Sequence, residues 1–248
     1  MAKTTAREYY YPEIKAGGFS HVDTTVDFYL RINALLKPEM VVLDFGAGRG
    51  AESESERAVT YAGKLRTIKG KVEKFIGADI DPAVNANPFI DEAIVIIPDA
   101  PIPLPDQSID LIISDWVFEH IENTDFVISE LDRILKPGGW ICARTPNRWG
   151  YIAIAATLIP KKLHRAVLRR VQPKRKEMDV FPKFYKLNTQ RSVKKQFEKC
   201  NFESFIYTIN SEPGYSSNSK MLWHAFHLLF KLTPSRFNAV LHIFLKKS

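Results

Sequence analysis

A run of glycines, Gly46-Ala-Gly-Arg-Gly50, follows directly on the short β-branched segment Met40-Val-Val-Leu-Asp-Phe45. A glycine turn at a strand end lets backbone come close to a ligand, and the helix after it offers free N–H groups. Gly46, Gly48 and Ala51 satisfy the dinucleotide fingerprint, whose last position admits alanine, so a nicotinamide or flavin oxidoreductase is one reading. A tight strand–helix turn without a ligand is another. Two carboxylates stand beside this loop in the pattern: Asp44, and Asp79 near the end of a second apolar run, Phe75-Ile-Gly-Ala-Asp-Ile-Asp81. A carboxylate only accepts hydrogen bonds and can grip two neighbouring hydroxyls. Asp79 lies 29 residues past Gly50, against roughly 20 in the dinucleotide fold. Asp81 competes for that role, but as the residue before Pro82 it fits a turn.

A second group follows the apolar run Ile109-Asp-Leu-Ile-Ile-Ser114: Asp115, Trp116, Glu119 and His120. Ligands of a parallel sheet collect at the C-terminal ends of its strands. His120 is the candidate general base and Asp115 the second catalytic candidate. Packing or capping at a helix start is the alternative for His120. His224 and His227 have metal-like spacing without a third ligand nearby, so they read as part of a polar helix stripe, and no metal site is expected. Cys142 and Cys200 form neither a disulfide framework nor a CxxC pair.

The elements that must carry these residues are legible from periodicity. Asp23 to Leu36 has helical spacing and ends at Lys37-Pro38. Strands are expected at 40–45, 75–81, 93–100, 109–114 and 140–144, with helical sequence between, including about 116–135. The near-continuous apolar strands mark a parallel sheet covered on both faces. Beyond Asn147 a basic amphipathic stretch, 161–171, precedes a helix at 189–199, a strand at 202–209, a helix at 221–232 and a last strand near 241–245. The expected fold is therefore Rossmann-like, doubly wound, with a mostly parallel seven-stranded sheet and a helical insertion after strand five. Its parts are an aromatic arm and helix acting as a lid (1–36), a core (37–147), a basic insertion (148–190) and a C-terminal segment (191–248). The Tyr9–Tyr11 arm and His21 are expected to close over the cofactor.

Taken together, Asp44-x-Gly46-x-Gly48-x-Gly50, Gly77-Ala-Asp79, Pro98-Asp-Ala100, Pro105-Asp-Gln-Ser-Ile-Asp-Leu-Ile-Ile-Ser114 and Leu135-Lys-Pro-Gly-Gly139 recur in the order found in one family. Residues 40–147 resemble the class I S-adenosylmethionine-dependent methyltransferases. The resemblance implies S-adenosyl-L-methionine as cofactor, lying over Asp44, Phe45, Gly46, Ala47, Gly48 and Gly50. It further implies Asp79 on the ribose with Ile80 beside it, Asp99 and Ala100 near the adenine, and Ser114 at the fourth strand. Ile109 stands where the family usually has an aromatic residue. The Glu119-His120 pair is similar to that of small-molecule members, but Trp116 occupies the place of the further glutamate of ubiquinone-pathway O-methyltransferases, against a metal-assisted route.

The 248 residues carry 35 Lys+Arg and 28 Asp+Glu, a formal net charge of +7. Residues 1–147 hold 15 basic and 23 acidic side chains, whereas 148–248 hold 20 and 5. A basic half favours an anionic partner. Nucleic acid fits less well, since Ser114-Asp-Trp-Val is not the Pro-Pro-Tyr type of ending, and Cys142 sits inside a strand. Ser114-Asp115 does resemble ribose 2′-hydroxyl methylases, without their lysine after strand five. An RNA acceptor is thus the alternative. The preferred reading is O-methylation of a small-molecule, glycan or lipid-linked acceptor, with peripheral association at an anionic membrane surface. Met1 to Glu8 lacks a signal-peptide core and no apolar run reaches the roughly 20 residues of a spanning helix. A cytoplasmic location follows as an expectation.

Overall fold

The computed structural model describes residues 5–50, 54–151, 153, 182–213 and 219–248. Most of the predicted insertion, 154–181, lies outside the described residues. The elements are α1 (Ala6–Tyr10), α2 (Thr24–Leu35), β1 (Val41–Phe45), α3 (Glu54–Val59), α4 (Tyr61–Arg66), β2 (Lys74–Asp79), β3 (Glu92–Val95), β4 (Ile109–Asp115), α5 (Thr124–Ile134), β5 (Leu135–Pro146), α6 (Gln190–Phe197), β6 (Phe202–Ile209), α7 (Lys220–Leu232) and β7 (Val240–Lys247). The strands form one seven-stranded sheet in the order β3-β2-β1-β4-β5-β7-β6. Neighbours from β3 to β5 are parallel, and β7 runs antiparallel to both β5 and β6.

Alternate residues of a strand point to opposite faces, and here each face has its own core. Leu43, Phe45, Ile112, Ile141 and Ile243 pack with Ile128, Leu131 and Ile134 of α5 and Val193 and Phe197 of α6. Val42, Leu111, Ile113, Cys142 and Phe244 face the other way, against Val26, Phe28 and Ile32 of α2 and Leu65 of α4. Helix α2 starts where the Asp23 carboxylate accepts from the Thr25 and Val26 amides, at 2.9 and 3.0 Å. On the same face the fully buried His242 of β7 places Nδ1 3.0 Å from the Asp27 carboxylate. That contact above all, with Tyr207 donating to the same carboxylate, holds the Asp27 carboxyl down at about 2.

The structure adds to the sequence expectation at the arm and departs from it elsewhere, β5 for one beginning at Leu135 rather than at Trp140. The arm is helical, since Thr5 and Glu8 form a reciprocal capping box at the start of α1. It does not lie loose. Tyr10 stacks on His227 at 4.6 Å and on Trp223 at 6.0 Å, and Arg7 grips Glu212 through two hydrogen bonds of 2.5 and 2.9 Å. The arm is thereby docked on α7. The third strand stops at Val95. The helix expected over 116–135 is split: Trp116 adopts φ 62°, which breaks helical geometry, and only a short 3-10 turn forms at Phe118–His120 before Asn123 caps α5.

Candidate functional site

The C-terminal ends of β1, β2 and β4 converge on the glycine turn. The amides of Gly46 and Ala47 donate to the Ala78 carbonyl at 2.7 and 3.2 Å, fastening the start of the turn to β2. The Gly48 amide then donates to Asp79 Oδ2 at 2.8 Å, while Asp79 Oδ1 accepts from the Asp81 amide at 2.9 Å. Asp81 itself caps the following 3-10 turn through the Ala83 amide. On the outer side Asn87 Nδ2 donates to the carbonyls of Ala47 and Gly48 at 3.2 and 3.1 Å. No pattern in the sequence marks Asn87, because its partners lie about 40 residues away.

Two of the glycines are demanded by different constraints. Gly46 has φ 89°, and a Cβ there would sit 2.2 Å from Val117 Cγ2. Gly48 has φ 57°, yet among the described residues a Cβ would meet nothing within 4 Å. Gly46→Ala should therefore destabilise the fold by about 2–4 kcal/mol, from left-handed strain plus overpacking against a stiff valine. Gly48→Ala should cost about 1 kcal/mol. Parallel thermal unfolding scans check the contrast; equal losses would refute it.

Behind the turn lies a cavity of about 140 Å³ whose polar walls are Tyr29, Asp44, Arg57, Arg66, Asn87 and Asp115. The Asp44 carboxyl, opening into it, is pushed up to about 7, first by burial, then by the Asp115 carboxylate, against the opposing pull of Arg66 and Arg57. Asp115 is gripped bidentately by Arg144, with both N–O distances at 2.7 Å, and accepts from the Tyr29 hydroxyl at 3.2 Å. Arg144 is 4% exposed and also donates to Thr25 at 2.9 Å. Its partner Asp115 stands 29 residues earlier on β4, directly across the β4–β5 ladder. Such a fork-shaped pair fixes geometry as well as charge.

The second predicted group surrounds Glu119, which is 3% exposed. Glu119 Oε2 accepts from the Thr145 hydroxyl at 2.8 Å, and Thr145 in turn accepts from Asn188 at 2.8 Å. His120 Nδ1 lies 2.6 Å from the Pro182 carbonyl, and Nε2 lies 3.8 Å from Glu119 Oε1. A carbonyl only accepts, so Nδ1 carries the ring proton in the neutral form and Nε2 keeps its lone pair. Phe184 and Tyr185 donate to the Glu119 carbonyl, which ties the 182–185 segment over the 3-10 turn.

The remaining candidates are distributed around these two centres. Asp99, with φ 58°, accepts from Asn123 at 2.8 Å and so is tied to the cap of α5. Ile80 stays 47% exposed beside Asp79. Ala100 donates its amide to the Ile97 carbonyl. Phe45 and Ser114 are buried at the ends of β1 and β4. His21 pairs with Glu13 and sits against Tyr11. His227 is stacked in the arm–α7 aromatic cluster while His224 is exposed. Among the described residues no group of three His, Cys, Asp or Glu could hold a metal ion.

This sheet order, with an antiparallel β7 inserted between β5 and β6, differs from the dinucleotide order 3-2-1-4-5-6. The fold is that of solved S-adenosylmethionine-dependent methyltransferases. Residues 43–143 match the family described as methyltransferase domain. Over 112 residues the chain is 34% identical to a probable S-adenosylmethionine-dependent methyltransferase from Mycolicibacterium smegmatis, a stretch covering 43% of this chain and 38% of that relative. The geranyl diphosphate C-methyltransferase of Streptomyces coelicolor, solved with Mg2+, geranyl diphosphate and S-adenosyl-L-homocysteine, superposes with a TM-score of 0.56 at 11% identity, covering 90% of this chain and 77% of that one. A SAM-dependent methyltransferase from Archaeoglobus fulgidus gives 0.54 at 19% identity, covering 96% and 100%. At these identities the two structures speak for the fold alone.

Proposed function

We propose that the protein transfers a methyl group from S-adenosylmethionine to an oxygen of a small-molecule, glycan or lipid-linked acceptor, with His120 as general base. The observation that carries the base assignment is the place of His120, just past the C-terminal end of β4 and 3.8 Å from the buried Glu119 carboxylate. An acceptor hydroxyl must lose its proton as the new bond to carbon forms, whereas a sulfonium leaving group departs neutral and needs no acid. The cofactor, when bound, supplies an electrophilic methyl group. The chain's own residues do the rest. Glu119, buried beside the ring and fixed by Thr145, stabilises the imidazolium once His120 has taken the proton.

The residues present fit this cofactor. Among the described residues a Cβ at Gly48, beside Asp79, would meet nothing within 4 Å, so backbone can lie against the nucleoside. Asp79 has acceptor capacity left for the two ribose hydroxyls. The acid–arginine cavity is complementary to an amino-acid zwitterion, with Asp44 facing the ammonium and Arg66 or Arg57 the carboxylate. Asp115, held by Arg144, supplies a fixed negative charge near the sulfonium rather than a mobile base.

His120→Ala should lower kcat about 100- to 1000-fold while leaving the dissociation constant for S-adenosylhomocysteine unchanged. Calorimetric titration of that variant, paired with methyl-transfer assays on hydroxylated acceptors beginning with glycolipids, makes the test. Undiminished turnover would make His120 structural. An NADH titration serves as control, and NADH binding without S-adenosylhomocysteine binding would overturn the whole reading.

A further inference from the structure

Helix α7 divides into three sectors at 100° per residue. Trp223, Phe226, His227 and Phe230 form the inner sector: Trp223 is 4% exposed, Tyr10 covers His227, and Tyr151 packs on Phe226 and Phe230 at 5.8 and 5.2 Å. Met221, Leu222, Ala225, Leu228, Leu229 and Leu232 fall together in an outer sector about 120° wide. There Met221 is 79%, Leu228 52% and Leu232 74% exposed. Lys220, His224 and Lys231 line one flank between the two. A soluble helix normally keeps its apolar stripe on the core and polar residues outside, and α7 has large apolar residues on both.

We propose that this outer face of α7 docks on an anionic lipid surface. The charge of the surrounding chain selects that occupant over a second protein chain. From Pro213 to Ser248 there is no Asp or Glu, while Lys220 and Lys231 stand on the helix and Arg236 follows it. Cations flanking an apolar helical stripe let leucine and methionine enter the headgroup–acyl boundary while lysines stay at the phosphates. Lys220 already lies over the ring of Tyr9, itself 60% exposed, at 4.8 Å, so an aromatic residue and a cation share the rim. No helix among the described residues is long and apolar enough to cross a membrane, and α7 has only 13 residues. Its helix lies in the interface plane instead. This surface stands independently of the acceptor and of the catalytic assignments.

The test is flotation of the full chain with vesicles of phosphatidylcholine alone and of phosphatidylcholine with phosphatidylglycerol. The protein should float with the mixed vesicles, weakly with the neutral ones, and detach as salt is raised. Leu228→Asp with Leu232→Asp should reduce vesicle partitioning at least ~10-fold. Lys220→Gln and Lys231→Gln should each reduce the anionic preference about fivefold. All these positions are exposed, so unchanged S-adenosylhomocysteine binding certifies the fold of each variant. If the native chain binds S-adenosylhomocysteine but neither vesicle, or if the double aspartate variant floats as well as the native chain, the proposal fails. Self-association in sedimentation that the aspartates abolish, without flotation, would also overturn it and make the face a contact between two copies.

Discussion

Asp79→Ala lowers the affinity for S-adenosylhomocysteine by about 10- to 150-fold, the equivalent of roughly 1.5–3 kcal/mol for hydrogen bonds to a charged group. The size of the effect follows from how many partners one carboxylate serves. In the free protein its two oxygens already accept from the amides of Gly48 and Asp81, at 2.8 and 2.9 Å. A carboxylate has about four lone-pair sites, so two remain for the vicinal hydroxyls of a ribose. Alanine removes the ribose acceptors and leaves the Gly48 amide without its side-chain partner, so loop order and ligand contact are lost together. Asp79→Asn separates the two contributions. The amide oxygen keeps one acceptor position, while its NH2 group faces either a backbone donor or a hydroxyl that must now accept. That variant should fall between the native protein and alanine. Calorimetry with S-adenosylhomocysteine gives the ranking; an affinity that alanine leaves untouched would show that the ribose is held elsewhere.

How far this site could be read from sequence depends on the range of the contacts. Everything local was visible: the β-branched run into Gly46, the two acids, the turn-forming Asp81 before Pro82, and the helix stop at Lys37-Pro38. Strand positions were visible because buried parallel strands are apolar throughout, and Leu43 and Val42 differ only in the face they serve. The antiparallel direction of β7 was not, since an apolar run such as Leu241–Leu245 carries no sign of its direction. Trp116 misled in a physical way: a tryptophan gives no hint of left-handed backbone, which here is fixed by its amide bonding to the Arg144 carbonyl. The long-range partners were equally silent. Tyr29 reaches Asp115 across 86 positions, and the arm reaches α7 across more than 200. Pairings of that kind come from the topology, not from any window of sequence.

Asp44 should make cofactor binding steeply dependent on pH. Its folded carboxyl titrates at about 7, because burial and the nearby Asp115 and Asp79 carboxylates disfavour its ionised form more than Arg66 and Arg57 favour it. An ammonium placed in the cavity reverses that balance and requires the carboxylate. Below pH 7 binding must therefore expel a proton, and affinity for S-adenosylhomocysteine should fall about 50-fold from pH 7 to pH 5. Proton release is measured directly by calorimetry in buffers of different ionisation enthalpy. The same group fixes a sign for the unliganded fold. Its folded pKa lies above the unfolded value of 3.8, so between pH 4 and 7 the folded state binds more protons. This group's contribution to stability is thus present at low pH and is lost as pH rises through 7. Saturating ligand should remove that loss. Asp44→Asn should abolish the proton release and flatten the pH profile, at a constant reduced affinity. The nucleoside 5′-methylthioadenosine lacks the amino-acid portion, so its affinity should show no such slope in the native protein. A flat profile for S-adenosylhomocysteine, or an equal slope for both ligands, would remove the ammonium from Asp44. The acid–arginine cavity would then have to serve the acceptor instead.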